Sequence, residues 1–564
     1  MSEQPTVRKR VWQRHDGGSV MVIVATLLLA CSCAPRGGCT GDYCGTLVFA
    51  APGEPSTLLP LVTDEALDRD IFDQLFLKLA DIGPDANTVG DQGFERQLAA
   101  DWAWTTPLEL TFHLDPRAHW HDGARVTSED VTFSFAVYRD SAVDSPYRDN
   151  LRHIVSVTAI DSETVKYTFD HRYAEMFFDA VYYMRILPAH LLRGTASTAW
   201  HSASFGRAPI GNGPFRFVRW VPGQSVELAA DSTFFLGRPH IRRLVWRFAT
   251  DLTVAVTQVV AGEADAIQVL VTPANIDRAS SSPHLTLYPY AGSVYNVVGF
   301  NLRANGDRAH AHPILGDPAV RRALVLATDR VKMAQSVFGG HARVPPGPIS
   351  QMWRGLWFAD IPVPPFDTAL AGQLLEHAGW HRAGADAVRA RNGLKLAFRL
   401  AVPSTSGTRK QYAQLIQEQL RLIGVDVVID EMEAATMQEK QRTGNYDAAM
   451  ESWNSDPSPA SSLPDAWTLH GASNFGGYSN PAFDRAVGQI TTATTPELVA
   501  QGWHEALQTL ANDSPAIVLY ALDNVAAVDS RVTDVRLRPD DWWAYVRNWR
   551  IPPARLVARD RTER

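Results

Sequence analysis

Cysteine is nearly absent from this chain. Its four cysteines, Cys31, Cys33, Cys39 and Cys44, fall within fourteen positions, and the 520 residues that follow carry none. The fold therefore does not rest on a disulfide framework, although Cys39 and Cys44 are placed to close one small loop in an oxidising compartment. Their C-x-C…C-x4-C spacing lacks the paired C-x2-C of a zinc ribbon, so no metal is expected there. Positive charge is also short. The net charge is −8 at pH 7, with none of the clustered basic surface that binds nucleic acid. Long apolar runs are missing apart from Val20–Ala30, and nothing reaches the roughly 18 residues that read as a membrane span. There is no G-x-S-x-G elbow, no G-x4-G-K-[ST] phosphate loop and no H-E-x-x-H pair. No enzyme and no cofactor are expected.

What is present starts with an address. Arg8, Lys9, Arg10 and Arg14 precede the apolar run, which ends Leu28-Leu29-Ala30-Cys31. Eleven apolar residues behind a basic segment suit a secretory signal rather than a span. The closing tetrapeptide resembles a lipoprotein processing box, which makes Cys31 the acylated first residue of the mature chain; Cys33 is the weaker alternative acceptor. Residues 1–30 carry a net +2, so removing them takes the total from −8 to −10. That acidic body has no affinity of its own for anionic lipid.

The most informative stretch runs from Leu98 to Phe135. Leu108, Leu110, Phe112 and Leu114 alternate with Glu109, Thr111 and His113, the period of a half-buried strand. Asp115-Pro116 ends it, and His121-Asp122-Gly123 makes a turn. Thr127 then offers an N-cap hydroxyl with Asp130 three residues on, ahead of Val131, Phe135 and Tyr138 on one helical face. His119 and His121 flank Trp120, but their place in a strand-to-turn unit favours a structural role over a metal.

The run LAADW…L-x-L-T-F-H-L…W-H-D-G…T-S-E-D-V-T-F-S-F resembles the signature of extracellular solute-binding proteins of the dipeptide, oligopeptide and nickel type, the receptors that feed ABC importers (solute-binding family 5). Further segments agree with the resemblance across residues 45–555. Gly45–Ala50 reads as a first strand, followed by an extended loop through Ser56. Ile71–Ala80 reads as a helix from its Ile71, Leu75, Leu79 spacing. Pro209-Ile210-Gly211-Asn212-Gly213-Pro214-Phe215 resembles the family's crossover, with Phe215 where tyrosine is usual; its glycines suit a backbone path, expected at positive φ, that bulky side chains resist. Tyr295–Leu302 is similar to the family's strand into the last lobe. Leu394–Leu400, the helix face through Tyr412, Ile416 and Leu420, and Val425–Ile429 form a βαβ unit, which calls for parallel strands. Ser404–Gly407, before that helix, suits either capping or an anion. Ala516–Leu522 reads as a return strand, and Arg555–Arg564 as a disordered charged tail.

The resemblance implies an α/β fold of two lobes, periplasmic-binding-protein-like (type II), with an extra inserted subdomain and a hinge between lobes. It divides the chain into a signal peptide (1–30), a tether (31–44), lobe I (45–85, 206–299 and 516–555), the inserted subdomain (86–205), lobe II (300–515) and a tail (556–564). It implies a monomeric, non-enzymatic receptor, lipid-anchored outside the cytoplasmic membrane. The receptor closes on a solute and hands it to ABC permease subunits. A short peptide is the expected ligand; a nickel chelate, an opine or an oligosaccharide is the alternative within the fold. A secreted hydrolase and a DNA-binding regulator are the rivals from other classes. In peptide-binding members an aspartate shortly after a tryptophan pairs with the ligand's α-amino group. Trp453-Asn454-Ser455-Asp456 matches that pattern, with Pro457-Ser458-Pro459 shortening the acidic run that often follows. The expected ligand contacts are Asp456, Trp453, Asn454, Ser455, Ser56, Tyr295 and Asn474.

Overall fold

The computed structural model describes residues 43–384 and 387–560. The signal segment, Cys31, Cys33, Cys39 and the last four residues lie outside them. The first strand, Thr46–Pro52, is buried along almost its whole length. It joins an eleven-stranded sheet whose main path runs 426–432, 397–403, 448–454, 285–300, 516–529, 266–267, 46–52, 243–249, 225–230, 215–221. Two strands are much longer than the rest, Leu285–Phe300 and Ala516–Asp529. They pair antiparallel from Leu285↔Asp529 to Gly299↔Ala516, with the register broken between Ala291 and Tyr295. One half of this ribbon is flanked by Ala266–Ile267 and the other by Ala448–Asn454. The ribbon therefore connects two lobes. At its break Gly292 passes so close to the partner strand that a Cβ would stand 2.3 Å from the Leu522 carbonyl oxygen.

The expected βαβ unit is present. Ala397–Pro403 and Asp426–Met432 pair in parallel from Ala397↔Asp426 to Pro403↔Met432, joined by the helix Gly407–Leu422. The Ser404–Gly407 loop serves capping: Ser406 accepts the Arg409 amide, and the Ser404 hydroxyl donates to Glu433. In the inserted region Glu109–Leu114 lies between Ala99–Thr106 and Thr164–Phe169, which in turn pairs with Ile154–Ala159. Leu110, Phe112, Val165 and Tyr167 are wholly buried there and share one core with Leu47, Phe49 and Trp246 of the main sheet. The helix Ser128–Arg139 starts with the Thr127/Asp130 capping box read from sequence. A second core forms around Leu324, Leu400 and Tyr412, and a third around Phe483, Trp503 and Leu507.

Three expectations are corrected. The helix expected over Ile71–Ala80 is instead Ala66–Phe72, and Ala80 already belongs to a strand. The backbone of 74–77 is bonded elsewhere. The Leu75 carbonyl accepts from Asn212 N and Gly213 N, the Gln74 carbonyl from Phe215 N, and Leu77 N donates to Asn212 Oδ1 at 2.8 Å. Long-range pairing with the crossover outweighs the local helical period. Second, Gly211 and Gly213 are not at positive φ. They are glycines because a Cβ would stand 1.9 Å from the Leu75 oxygen at Gly211 and 2.5 Å from the Gln74 oxygen at Gly213. His121 completes this junction: its Nδ1 accepts Gly211 N at 3.2 Å and its Nε2 donates to the Gly213 carbonyl at 3.0 Å. That pattern needs the neutral ring, and burial holds the His121 pKa below its usual value. His119 Nε2 lies 3.2 Å from the Thr233 hydroxyl, away from the Gly211–Gly213 bonds of His121.

Third, the C-terminal stretch is pinned as far as Asp560. Its Oδ1 accepts Thr46 N at 2.7 Å and its Oδ2 accepts Arg531 Nη1 at 2.8 Å, while Arg531 Nε also reaches Asp265 at 2.8 Å. Arg531, Asp265 and Asp560 are all buried. Asp560→Ala is expected to cost about 1–3 kcal/mol, since Arg531 and Thr46 each lose a charge-assisted bond while Asp265 still pairs with Arg531. A thermal melt unchanged from wild type would show the contact to be idle. Cys44, buried just before the first strand, is disulfide-bonded; Cys39, the partner considered from sequence, lies outside the described residues.

Candidate functional site

Between the lobes, beside the connecting ribbon, lies a cleft of about 580 Å3, within the size range of small-ligand sites. One wall comes from the start of the first helix (Asp64, Glu65, Arg69) and from Tyr147, Tyr182 and Tyr183. The other is Asn454–Pro457 with Ser461 and Ser462, and Ser293 of the ribbon also contributes. Trp542 and Asp540, from the C-terminal stretch, complete the lining.

Asp456 sits where the strand Ala448–Asn454 has ended and the helix Pro459–Trp467 has yet to begin, two residues before the N-cap Ser458. The loop is clamped from behind by Trp353, whose indole N–H lies 2.9 Å from the Asp456 carbonyl oxygen and 3.1 Å from that of Pro457. The Asp456 carboxylate accepts from the Ser461 hydroxyl at 2.6 Å and from the Tyr183 hydroxyl at 3.4 Å. Both donors are neutral, and no cation lies in ion-pair contact with it among the described residues. Burial pushes its pKa up to about 6 against these hydrogen bonds. Next to it Glu175 accepts from Ser458 at 2.5 Å and from Thr88 at 2.6 Å, and burial pushes its pKa up to about 7. Asp179, bonded to Tyr173, is raised well above the carboxylate range by the same cause. This corner thus holds more carboxyl groups than it has positive charge.

Across the cleft Arg69 is a guanidinium with no hydrogen bond or ion pair from its side chain among the described residues. Arg185 is different. It is held by Asp73 through two bonds of 2.7 and 2.8 Å and stacks over Phe72, so its charge is already matched. The cleft therefore sets Asp456, which has no ion-pair partner among the described residues, against Arg69, which has none either, with Asp64 and Glu65 also on the Arg69 wall and three tyrosines and a tryptophan framing them.

The structure brings together three of the residues singled out from sequence: Asn454, Ser455 and Asp456 all line the cleft. Asn454 accepts from the Ser293 hydroxyl at 2.7 Å, and Ser455 N donates to the Ser293 carbonyl at 3.0 Å, which ties the loop to the ribbon. The Ser455 hydroxyl is buried without a partner. The remaining four lie outside this lining. Trp453 alternates to the opposite face of its strand and donates to Glu451 at 3.1 Å. Tyr295 is buried in the third core. Ser56 is bonded to Asp68 through its amide and its hydroxyl. Asn474 latches its own loop through Thr468, Tyr478 N and the Tyr478 carbonyl. Sequence reasoning missed Arg69, Tyr183, Trp353 and Glu175. They are distant in sequence and carry no local motif; only the fold collects them.

Residues 93–475 match the family described as bacterial extracellular solute-binding proteins, family 5, middle. Among curated proteins the chain is 24% identical over 552 residues to the oligopeptide-binding protein AppA of Bacillus subtilis, covering 93% of this chain and 97% of that one. It is 27% identical over 456 residues to the di/tripeptide-binding protein 2 of Pseudomonas aeruginosa, covering 77% of each. The structure superposes on that of B. subtilis AppA in complex with a nonapeptide with a TM-score of 0.72 at 23% identity, over 91% of this chain and 100% of that one. It superposes equally on NikZ from Campylobacter jejuni in complex with Ni(L-His), with a TM-score of 0.72 at 22% identity, over 90% and 99%.

Proposed function

The chain belongs to the bacterial extracellular solute-binding proteins of family 5, binding proteins of ABC importers and not enzymes, and from that premise we propose that it captures a short peptide by its free α-amino group and delivers it to an ABC permease. The observation that carries the choice of ligand is Asp456, a cleft carboxylate served only by neutral donors and bearing a pKa raised to about 6. Such a group is poorly stabilised when empty and gains most from an arriving cation. Arg69, unmatched on the opposite wall, suits the peptide's carboxylate, so the cleft fits a zwitterion. The names of AppA and of the di/tripeptide-binding protein support a peptide. The fold alone does not choose, since a nickel–histidine binder superposes as well as a peptide binder. The test is calorimetry with a matched pair of peptides, one free and one N-acetylated. The free peptide binds and the acetylated one does not. Equal binding of both removes the amine–Asp456 contact from the reading.

We assign 45–85, 206–299 and 516–555 to lobe I, 86–205 to its inserted subdomain and 300–515 to lobe II. Closure about the ribbon break near Gly292 brings the Arg69 and Asp456 walls together on the ligand, which then favours the closed state by contacts absent from the open one. The receptor acts as a monomer on the outer side of the cytoplasmic membrane, held by lipid on Cys31. Each buried CH2 of such a chain contributes about 0.8 kcal/mol. Cys31→Ala is expected to move the protein from the membrane fraction to the soluble or unprocessed one, read by fractionation and intact mass. A variant that stays membrane-bound with a normally processed N-terminus refutes the anchor.

A further inference from the structure

The inserted subdomain carries a donor cluster that solute capture does not use. His153 precedes the strand Ile154–Ala159 and Asp170 follows the strand Thr164–Phe169. Because Ile154 pairs with Phe169, these flanking residues face one another, and Asp170 N donates to the His153 carbonyl at 3.1 Å. His171 is the next residue. His153 Nδ1 lies 3.0 Å from Asp170 Oδ2, and His171 Nδ1 lies 2.5 Å from Asp170 Oδ1. One donor atom from each of the three residues falls within 4.8 Å of the others. The two imidazoles meet edge to face with centroids 4.7 Å apart, and Tyr173 packs against both at 5.3 and 5.2 Å. A paired-strand end and an aromatic wall thus fix the cluster.

We propose that His153, Asp170 and His171 bind a divalent transition cation of the zinc, nickel or copper class. Two imidazole nitrogens and one carboxylate oxygen suit those ions, whereas calcium and magnesium require oxygen donors throughout. Metal–ligand bonds of about 2.0–2.2 Å in a tetrahedron place donor atoms roughly 3.3–3.6 Å apart. The present spacing reaches that with small side-chain rotations. The cation replaces the protons that now link each Nδ1 to Asp170, and a fourth position stays open to water. Both histidines also line a cavity of about 100 Å3 shared with Val499 and Trp503 of the other lobe. A bound ion therefore sits on the inserted subdomain where it faces lobe II, in a cavity that Tyr183 and Ser461, the donors to Asp456, also line.

The test is isothermal titration of the full chain with zinc chloride and with nickel chloride, at pH 7.5 in a buffer that does not coordinate metal. The expected result is one saturable site, weakened more than about tenfold in His171→Gln and in Asp170→Asn. Peptide affinity and circular dichroism stay as in wild type. Cobalt(II) gives a second readout: a visible absorption band of tetrahedral character that His153→Gln removes. No saturable uptake by the wild type overturns the proposal. So does uptake that all three variants retain, which would place the ion elsewhere on the chain.

Discussion

Asp456→Asn is expected to weaken peptide binding by two to three orders of magnitude or more. Removing one partner of an enclosed ion pair costs about 3–5 kcal/mol, and each 1.4 kcal/mol is a factor of ten. The same account fixes the pH dependence. Only the ionised carboxylate pairs with an ammonium, and burial holds the Asp456 pKa near 6 in the empty cleft. Affinity therefore falls as pH drops through 6, approaching tenfold per unit below it. On the alkaline side it declines as the peptide's own amine, with a pKa of about 7.7–8.0, loses its proton. The asparagine variant should lack the acid limb. It should also fold normally. A carboxyl whose folded pKa is raised contributes stability below its unfolded pKa and loses it as pH rises through the folded one, so above pH 6 the neutral amide relieves the empty protein of a cost. Calorimetry across pH 5 to 9 on both proteins, with thermal melts alongside, reads all of this. An acid limb that persists in the variant would assign the titration to Glu175 or another group and remove Asp456 from the contact.

The second large effect is on stability. Gly211→Ala is expected to cost about 4 kcal/mol or more. The new Cβ would stand 1.9 Å from the Leu75 oxygen, and that same oxygen accepts Asn212 N at 2.9 Å and Gly213 N at 2.8 Å. Relieving the collision separates the two segments. That adds two weakened buried bonds, at about 1–3 kcal/mol each, to an overpacking cost of about 1–3. Gly223 provides the comparison. It lies at φ +69 with open space where a Cβ would stand, so Gly223→Ala measures backbone strain alone, about 1–2 kcal/mol. If thermal melting shows the Gly211 variant to be no weaker than the Gly223 variant, close approach is not what requires glycine in the crossover.

These two cases also mark what was legible in the sequence. Strand periodicity at Glu109–Leu114, the Thr127/Asp130 cap and the βαβ unit of lobe II are local, and each was found where its spacing placed it. The Ile71, Leu75, Leu79 spacing misled because the backbone of 74–77 bonds with residues more than a hundred positions away, which no local pattern records. The crossover glycines were read as special for the wrong reason: close approach and positive φ leave the same residue in the sequence. Of the residues that the tryptophan–aspartate motif singled out, Asn454, Ser455 and Asp456 line the cleft. Trp453 was expected beside them, but a strand alternates its faces, and the alternation that turns Asn454 to the cleft leaves Trp453 on the other face, donating to Glu451. Arg69 and Tyr183 reach the cleft only through tertiary packing.

The central claim is that the captured solute is a peptide with a free α-amine. Its most direct test is mass spectrometry of the small molecules released on denaturing protein purified without added ligand. The account predicts intact short peptides with unmodified amino termini, recovered from wild type and missing from Asp456→Asn. Recovery of a metal chelate, a sugar or amine-blocked peptides, held equally by both proteins, would contradict it.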